Sequence, residues 1–109
     1  MKQIILASGL AYFFMTASPG FAGCISGIGC SNTGPIGFDS LYDATCADLW
    51  YLRNSALHEN GFCFRNARGK TTFGNRTCFV KNLADVRMSA IERTNVKRIG
   101  DTERKRRCR

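Results

Sequence analysis

Thr45-Cys46-Ala47-Asp48-Leu49-Trp50-Tyr51-Leu52-Arg53-Asn54-Ser55-Ala56-Leu57-His58-Glu59-Asn60-Gly61 is the stretch from which the fold is legible. Thr45 and Asp48 stand at capping-box spacing: a hydroxyl accepts from the N3 amide while the acid three residues on reaches back. From there Cys46, Leu49, Trp50, Ala56 and Leu57 fall on one side at helical periodicity. Asn60-Gly61 supplies a left-handed stop, and Phe62 beyond it can pack back on the last turn. The spacing predicts a helix over about 46–59.

Moving toward the C-terminus, Phe62-Cys63-Phe64 is apolar but too brief to assign by period. Asn66 can cap a short helix over about 66–73, although Gly69 inside it costs about 1 kcal/mol. Gly74-Asn75 ends it, and residues 76–88 read as irregular, with Cys78, Phe79, Val80, Leu83, Val86 and Met88 as anchors. Ser89-Ala90-Ile91-Glu92 is a second capping box. In the helix that follows, about 90–107, Met88, Ile91, Val96 and Ile99 fall within an arc of about 140° and predict its apolar face. Gly100 weakens the middle of that helix.

On the other side of the opening stretch, residues 23–43 hold Gly23, Gly27, Gly29, Gly34, Gly37 and Pro35 among scattered apolar residues. Such a segment reads as a Gly-rich linker or ordered loop outside the core, which places the folded domain at 44–109, starting near Tyr42. The expected fold class is mostly α: a small disulfide-stapled domain of two main helices and one short one, with irregular loops and no obvious sheet.

Residues 1–22 have the three-part form of a signal peptide: Lys2 at the start, an apolar run from Ile4 to Met15, and Gly20-Phe21-Ala22 before a cut. The run is shorter than the about 20 apolar residues that span a bilayer, so no transmembrane span is expected after processing. Phe21-Ala22-Gly23-Cys24 also resembles a lipobox. Lipidation of Cys24 is therefore the alternative to ordinary secretion, and the expected location is periplasmic or secreted, otherwise membrane-anchored.

The chain has 109 residues, 16 Lys and Arg against 8 Asp and Glu, and six Cys. A domain of this size gains only about 3–5 kcal/mol from its core, and exported ones add disulfides. Cys24, Cys30, Cys46, Cys63, Cys78 and Cys108 allow fifteen pairings, which spacing narrows only weakly. The Gly-rich stretch between Cys24 and Cys30 has little else to order it, so a local pair is expected there. Cys63–Cys78 would close a loop worth about 3 kcal/mol. Cys46–Cys108 would then tie the start of the first long helix to the end of the last. Zinc sites usually show a close Cys-x-x-Cys or His pair, and this sequence has none.

Asp48-Leu49-Trp50-Tyr51-Leu52-Arg53-Asn54, then Gly61-Phe62, then Phe64, resembles the opening of the YARHG domain, whose helix reads Leu-x-x-x-Arg-Asn before its five-letter name motif and an aromatic pair. Ala67-Arg68, Phe73-Gly74-Asn75, Cys78, Asp85-Val86 and Ser89 resemble the Cys-bearing version found in exported proteins of Gram-negative bacteria. The resemblance spans about 44–108. At the name motif the chain reads Leu57-His58-Glu59-Asn60-Gly61, so only the glycine agrees and only its structural role carries over. The resemblance implies an exported module and brings no enzymatic activity or cofactor with it.

Arg53 and Asn54 admit two readings. They form a polar pair for a ligand's anionic group, Arg as a planar fork, or Arg53 lays its stem over Trp50 while Asn54 satisfies a loop carbonyl. His58 and Glu59 are adjacent on a helix and point about 100° apart, so spacing does not make them an acid–base pair; His58 is expected to be exposed. No phosphate loop or Ser/His/Asp arrangement is present.

The candidate interaction surface is the basic end: Lys97, Arg98, Arg104, Lys105, Arg106, Arg107 and Arg109, opposed by Asp101 and Glu103. In an exported protein such a cluster meets lipid headgroups, lipopolysaccharide or cell-wall polymers, or an envelope protein, rather than nucleic acid. It could equally serve only the helix dipole and solubility. The expected function is a non-catalytic envelope module that binds an anionic partner through Arg104, Lys105, Arg106 and Arg107. The alternatives are a lipoprotein on Cys24, or a small secreted hydrolase or toxin using His58 with Glu59.

Overall fold

The computed structural model describes residues 23–109; the expected signal segment, residues 1–22, lies outside them. The chain runs β1 (Cys24–Ile25), β2 (Gly29–Cys30), α1 (Phe38–Asp43), α2 (Cys46–Glu59), α3 (Ala67–Phe73), a single 3-10 turn at Leu83–Asp85, and α4 (Ala90–Lys105). The fold is mostly α, with two main helices, short ones and three disulfides, as the sequence implies. The two strands form only a tight antiparallel hairpin, closed by Cys24–Cys30.

Local chemistry sets the helix ends. Thr45 Oγ1 accepts from Asp48 N at 3.0 Å and Asp48 Oδ2 accepts from Thr45 N at 3.4 Å, which completes the box that starts α2. Ser89 and Glu92 repeat it at α4, at 3.1 and 2.9 Å. Gly61, at φ +87°, stops α2 in a Schellman turn, its N–H donating to His58 O at 3.0 Å and that of Phe62 to Leu57 O at 3.0 Å. A Cβ at Gly61 would lie 2.3 Å from the Phe79 ring, so the position needs glycine for space as well as for φ. Gly69, a poor helix residue, sits in α3 because the Phe64 ring presses on it: a Cβ there would come within 2.5 Å. At the end of α4, Arg107 takes the left-handed φ of +57° and turns Cys108 back toward Cys46.

The core lies between α4 and α2 and is completed from the N-terminal side. Ile36, Leu41, Ala44, Leu49, Leu52 and Ile99 are its buried members, with Ile25, Ile28 and Cys108 against them. Two expectations change here. Residues 23–43 are not outside the core: Ile36 and Leu41 are two of its buried side chains, and α1 packs on α4. The reason is Asn95, fully buried on α4. Its Oδ1 accepts from Ile36 N at 2.9 Å, and its Nδ2 donates to Ser31 O at 3.0 Å and Gly34 O at 2.9 Å. One amide thus holds a strand-free segment in place through its own backbone.

The second change concerns the face α4 presents. Glu92, Asn95, Ile99 and Thr102 are its buried residues, while Ile91 is 40% exposed. The expected stripe of Met88, Ile91, Val96 and Ile99 keeps only Ile99 fully inside. Rotation toward a polar face is tolerable because each polar group has a partner: Glu92 holds the Ser89 and Asn60 amides, and Thr102 Oγ1 donates to Arg98 O at 2.8 Å. The helix continues through Gly100 without a break.

Beyond α2 the chain builds a smaller lobe. Phe73 lies against Trp50, Tyr51, His58 and Phe64, at ring-centroid distances of 5.8, 5.5, 5.1 and 5.2 Å. Cys63–Cys78 ties its two edges. Asn75 spans Phe64, accepting from its N–H at 3.0 Å and donating to its carbonyl at 2.8 Å.

Candidate functional site

The sequence motif on α2 divides between structure and surface. Leu49 is core. Trp50 is half-buried, covered by the Arg68 guanidinium at 3.9 Å from the ring centroid. The Arg53 fork grips Glu103 of α4, Nε to Oε1 at 2.6 Å and Nη2 to Oε2 at 3.1 Å. That bidentate pair neutralises the cation, which removes its expected role as a free anion fork. Among the described residues Asn54 satisfies no loop carbonyl; its Nδ2 donates to Trp50 O, one turn back on the same helix, at 2.9 Å.

A groove of about 360 Å³ opens beside these residues. Arg53, Asn54 and Leu57 line it from α2, Phe62, Phe64, Arg65 and Asn66 from the following link, and Lys81, Asn82 and Leu83 from the loop before α4. Backbone bonds pin the link to the loop: Phe79 and Val80 N–H donate to Gly61 O, both at 2.8 Å, and Cys63 N–H to Val80 O at 2.8 Å. With Cys63–Cys78 alongside, the two banks of the groove cannot drift apart. Sequence reasoning placed Phe62 and Phe64 in a family motif but did not find Arg65 or Lys81, which look like ordinary surface charges until the Gly61–Val80 bonding brings the loop across.

The basic end is partly occupied by contacts within the protein. Arg104 pairs with Asp101, and Lys97 reaches the same carboxylate at 3.2 Å. Hydrogen bonding from Lys97, reinforced by Arg104, holds Asp101 below the ordinary carboxylate range. The Arg106 guanidinium donates to Ala44 O, at the junction of α1 and α2. Lys105, Arg107 and Arg109 make no side-chain hydrogen bond or ion pair among the described residues. A second groove, about 280 Å³, runs from Trp50 and Arg53 past Glu103 and Arg104 to Cys108 and Arg109.

His58 is not the exposed residue the sequence suggests: it is half-buried, stacked on Phe73. It makes no hydrogen bond with Glu59, which turns instead toward the N-terminal segment and accepts from Asn32 Nδ2 at 3.3 Å. Partial burial, with Glu92 nearby, raises the Glu59 carboxyl above its ordinary range. All six cysteines are bridged, as Cys24–Cys30, Cys46–Cys108 and Cys63–Cys78. Among the described residues no group of His, Cys, Asp or Glu is placed to hold a metal ion, and no helix is long and apolar enough to cross a membrane.

These features define a small disulfide-stapled helical domain of a kind that fits an exported protein. The chain belongs to the YARHG domain family, whose model matches residues 29–104. The match begins well before the expected boundary near 44 and takes in Ser31, Gly34, Ile36 and Leu41, the residues that Asn95 and the core hold. No curated protein and no solved structure shows a significant match.

Proposed function

We propose that this protein is a non-catalytic exported module of the bacterial envelope that binds an anionic envelope component, a lipid headgroup, lipopolysaccharide or cell-wall polymer, through its basic C-terminal face. The observation that carries the reading is the lack, among the described residues, of an ion-pair partner for Lys105 at the end of α4 and for Arg107 and Arg109 just beyond it. The acids nearest in sequence, Asp101 and Glu103, are already engaged with Lys97, Arg104 and Arg53. Arg104 and Arg106 complete the face but are anchored, so they shape it more than they reach outward. Cys24 bonded to Cys30 favours ordinary signal cleavage over lipidation, and His58 under Phe73 favours binding over hydrolysis.

Sedimentation with vesicles containing an anionic phospholipid, in low salt, tests it. The protein should co-sediment and be released as salt screens the charges. Changing Lys105, Arg107 and Arg109 together to Gln should abolish retention while leaving the melting temperature unchanged. Undiminished retention of that variant would remove the face from consideration.

A further inference from the structure

The α2 groove shares only Arg53 with the groove at the basic end and is otherwise lined by different side chains, which call for a different ligand. Its ten lining residues include three cations and no acid. Arg53 is neutralised by Glu103, but Arg65 and Lys81, one on each bank, have no ion-pair or hydrogen-bond partner among the described residues. An anion between them would meet two unpaired positive charges.

Asn54 is the second observation, independent of charge. It is only 7% exposed, and its single hydrogen bond among the described residues uses Nδ2. Because that bond runs to a carbonyl, the amide orientation is fixed: the nitrogen faces Trp50 O, and Oδ1 is left as an acceptor without a donor. Oδ1 is not among the wholly sealed unpartnered atoms, which are the Ser31 and Ser55 hydroxyls, so it keeps some accessible surface, and Asn54 is one of the residues that line the groove. A polar atom so placed favours a ligand that brings an N–H or O–H to it.

Asn66 supplies the complement. Its Oδ1 is committed to capping α3, accepting from Gly69 N at 2.6 Å, which leaves its Nδ2 to donate. Between these polar groups run Leu57, Phe62, Phe64 and Leu83, the last 60% exposed at the rim. The site therefore offers two cations, one acceptor, one donor and an apolar wall, in a cleft at the small end of ligand-site volumes.

We infer that this groove binds the C-terminal end of a peptide. The terminal carboxylate sits between Arg65 and Lys81, the last peptide N–H donates to Asn54 Oδ1, a preceding carbonyl accepts from Asn66 Nδ2, and an apolar last side chain lies on Phe62 and Leu83. Sulfate satisfies the cations but brings no donor to Asn54, and phosphate, although it carries a hydroxyl, brings nothing to the apolar wall. Capture of a terminal carboxylate beside an apolar pocket is a recurring mode of peptide recognition.

The test is an amide-resolved NMR titration of the oxidised protein with an N-acetylated tetrapeptide ending in an apolar residue, as the free acid and as its C-terminal amide, and with inorganic phosphate. The free acid should bind at ~1 mM or tighter and at least about tenfold more tightly than the amide. It should shift the Asn54 side-chain NH2 and the backbone amides of Lys81 and Asn82. Arg65→Gln with Lys81→Gln, both on exposed side chains, should weaken the free acid to the level of the amide without changing the spectrum of the unliganded core. Equal binding of acid and amide would overturn the proposal. So would the same shifts from phosphate alone, shifts confined to the Arg107–Arg109 end, or no shifts at ~1 mM.

Discussion

Around Ile99 the packing is aliphatic and joins residues far apart in sequence, whereas around Phe73 it is aromatic and joins residues much nearer to one another, the farthest being Trp50. In the first region Ile36 meets Asn95 across 59 positions, and Cys46 meets Cys108 across 62. In the second, Phe64, Asn75 and the Cys63–Cys78 bridge close spans of 15 residues or fewer. Long loops are expensive to close, so the aliphatic body depends on its staple and on the Asn95 amide. The aromatic lobe forms locally and needs its bridge mainly to hold a loop across Gly61. The groove lies where the two regions meet, lined by α2 of the body and by the link and the loop of the lobe, which form its two banks.

The sharpest way to break that contrast is to remove one staple at a time. Replacing Cys46 and Cys108 together by Ser should destabilise the protein by about 4 kcal/mol, from the chain entropy of so long a loop. For a domain of this size that approaches its whole stability. The expected result is loss of chemical-shift dispersion throughout the spectrum. Replacing Cys63 and Cys78 should cost about 3 kcal/mol, with resonances of residues 61–88 collapsing before those of Ile36, Leu49 and Ile99. If both variants melt as one unit, the body and the lobe are a single cooperative structure and the contrast fails.

Asn95→Ala comes next. It leaves the Ile36 N–H and the Ser31 and Gly34 carbonyls buried without partners and opens a cavity, for an expected loss of about 3 kcal/mol. At this size each kcal/mol lowers the melting temperature by about 4–8 °C, so calorimetry should show a fall of more than about 10 °C. Asn95→Leu restores the volume but not the bonds, and should recover only part of the loss. Full recovery would mean that the N-terminal segment is held by packing alone.

The same contrast explains what could be read in the sequence. Helix α2 was legible from end to end because its cap, stop and period are local: Thr45 with Asp48, and Gly61 after Asn60. The second box, Ser89 with Glu92, was legible for the same reason. The placement of residues 31–41 was not, because a helical Asn reads as a solvent-facing residue until three backbone partners from a distant segment surround it. The inward face of α4 was misread by the same mechanism, since Glu92, Asn95 and Thr102 are polar yet buried, and periodicity counts only apolar residues. Arg53 stood out in the motif, but its partner Glu103 lies 50 positions away. The groove was the least legible feature: Arg65 and Lys81 line one groove because the main-chain bonds at Gly61 and Cys63, with the Cys63–Cys78 bridge, bring the loop to the link.

The smallest expected effect concerns the junction of α2 with the N-terminal segment, where Glu59 faces Asn32 and Glu92. Its carboxyl is raised above the ordinary 4.5, first by partial burial and then by the charge of Glu92. The folded protein therefore holds this proton more tightly than the unfolded chain does. That contribution to stability is fully present below about pH 4.5 and is lost as pH rises through the raised folded value. Glu59→Gln removes the titration while keeping an oxygen to accept from Asn32, so its stability relative to the parent should rise with pH from 4.5 upward and then level off. Glu59 faces solvent and its charge is screened, so the gain should stay well below 1 kcal/mol. Urea unfolding midpoints of the two proteins, compared at pH 4 and pH 7, measure it. A parent that equals or exceeds the variant at pH 7 would show that the carboxylate is better satisfied by Asn32 than its burial implies, and that this seam strengthens the aliphatic body instead of straining it.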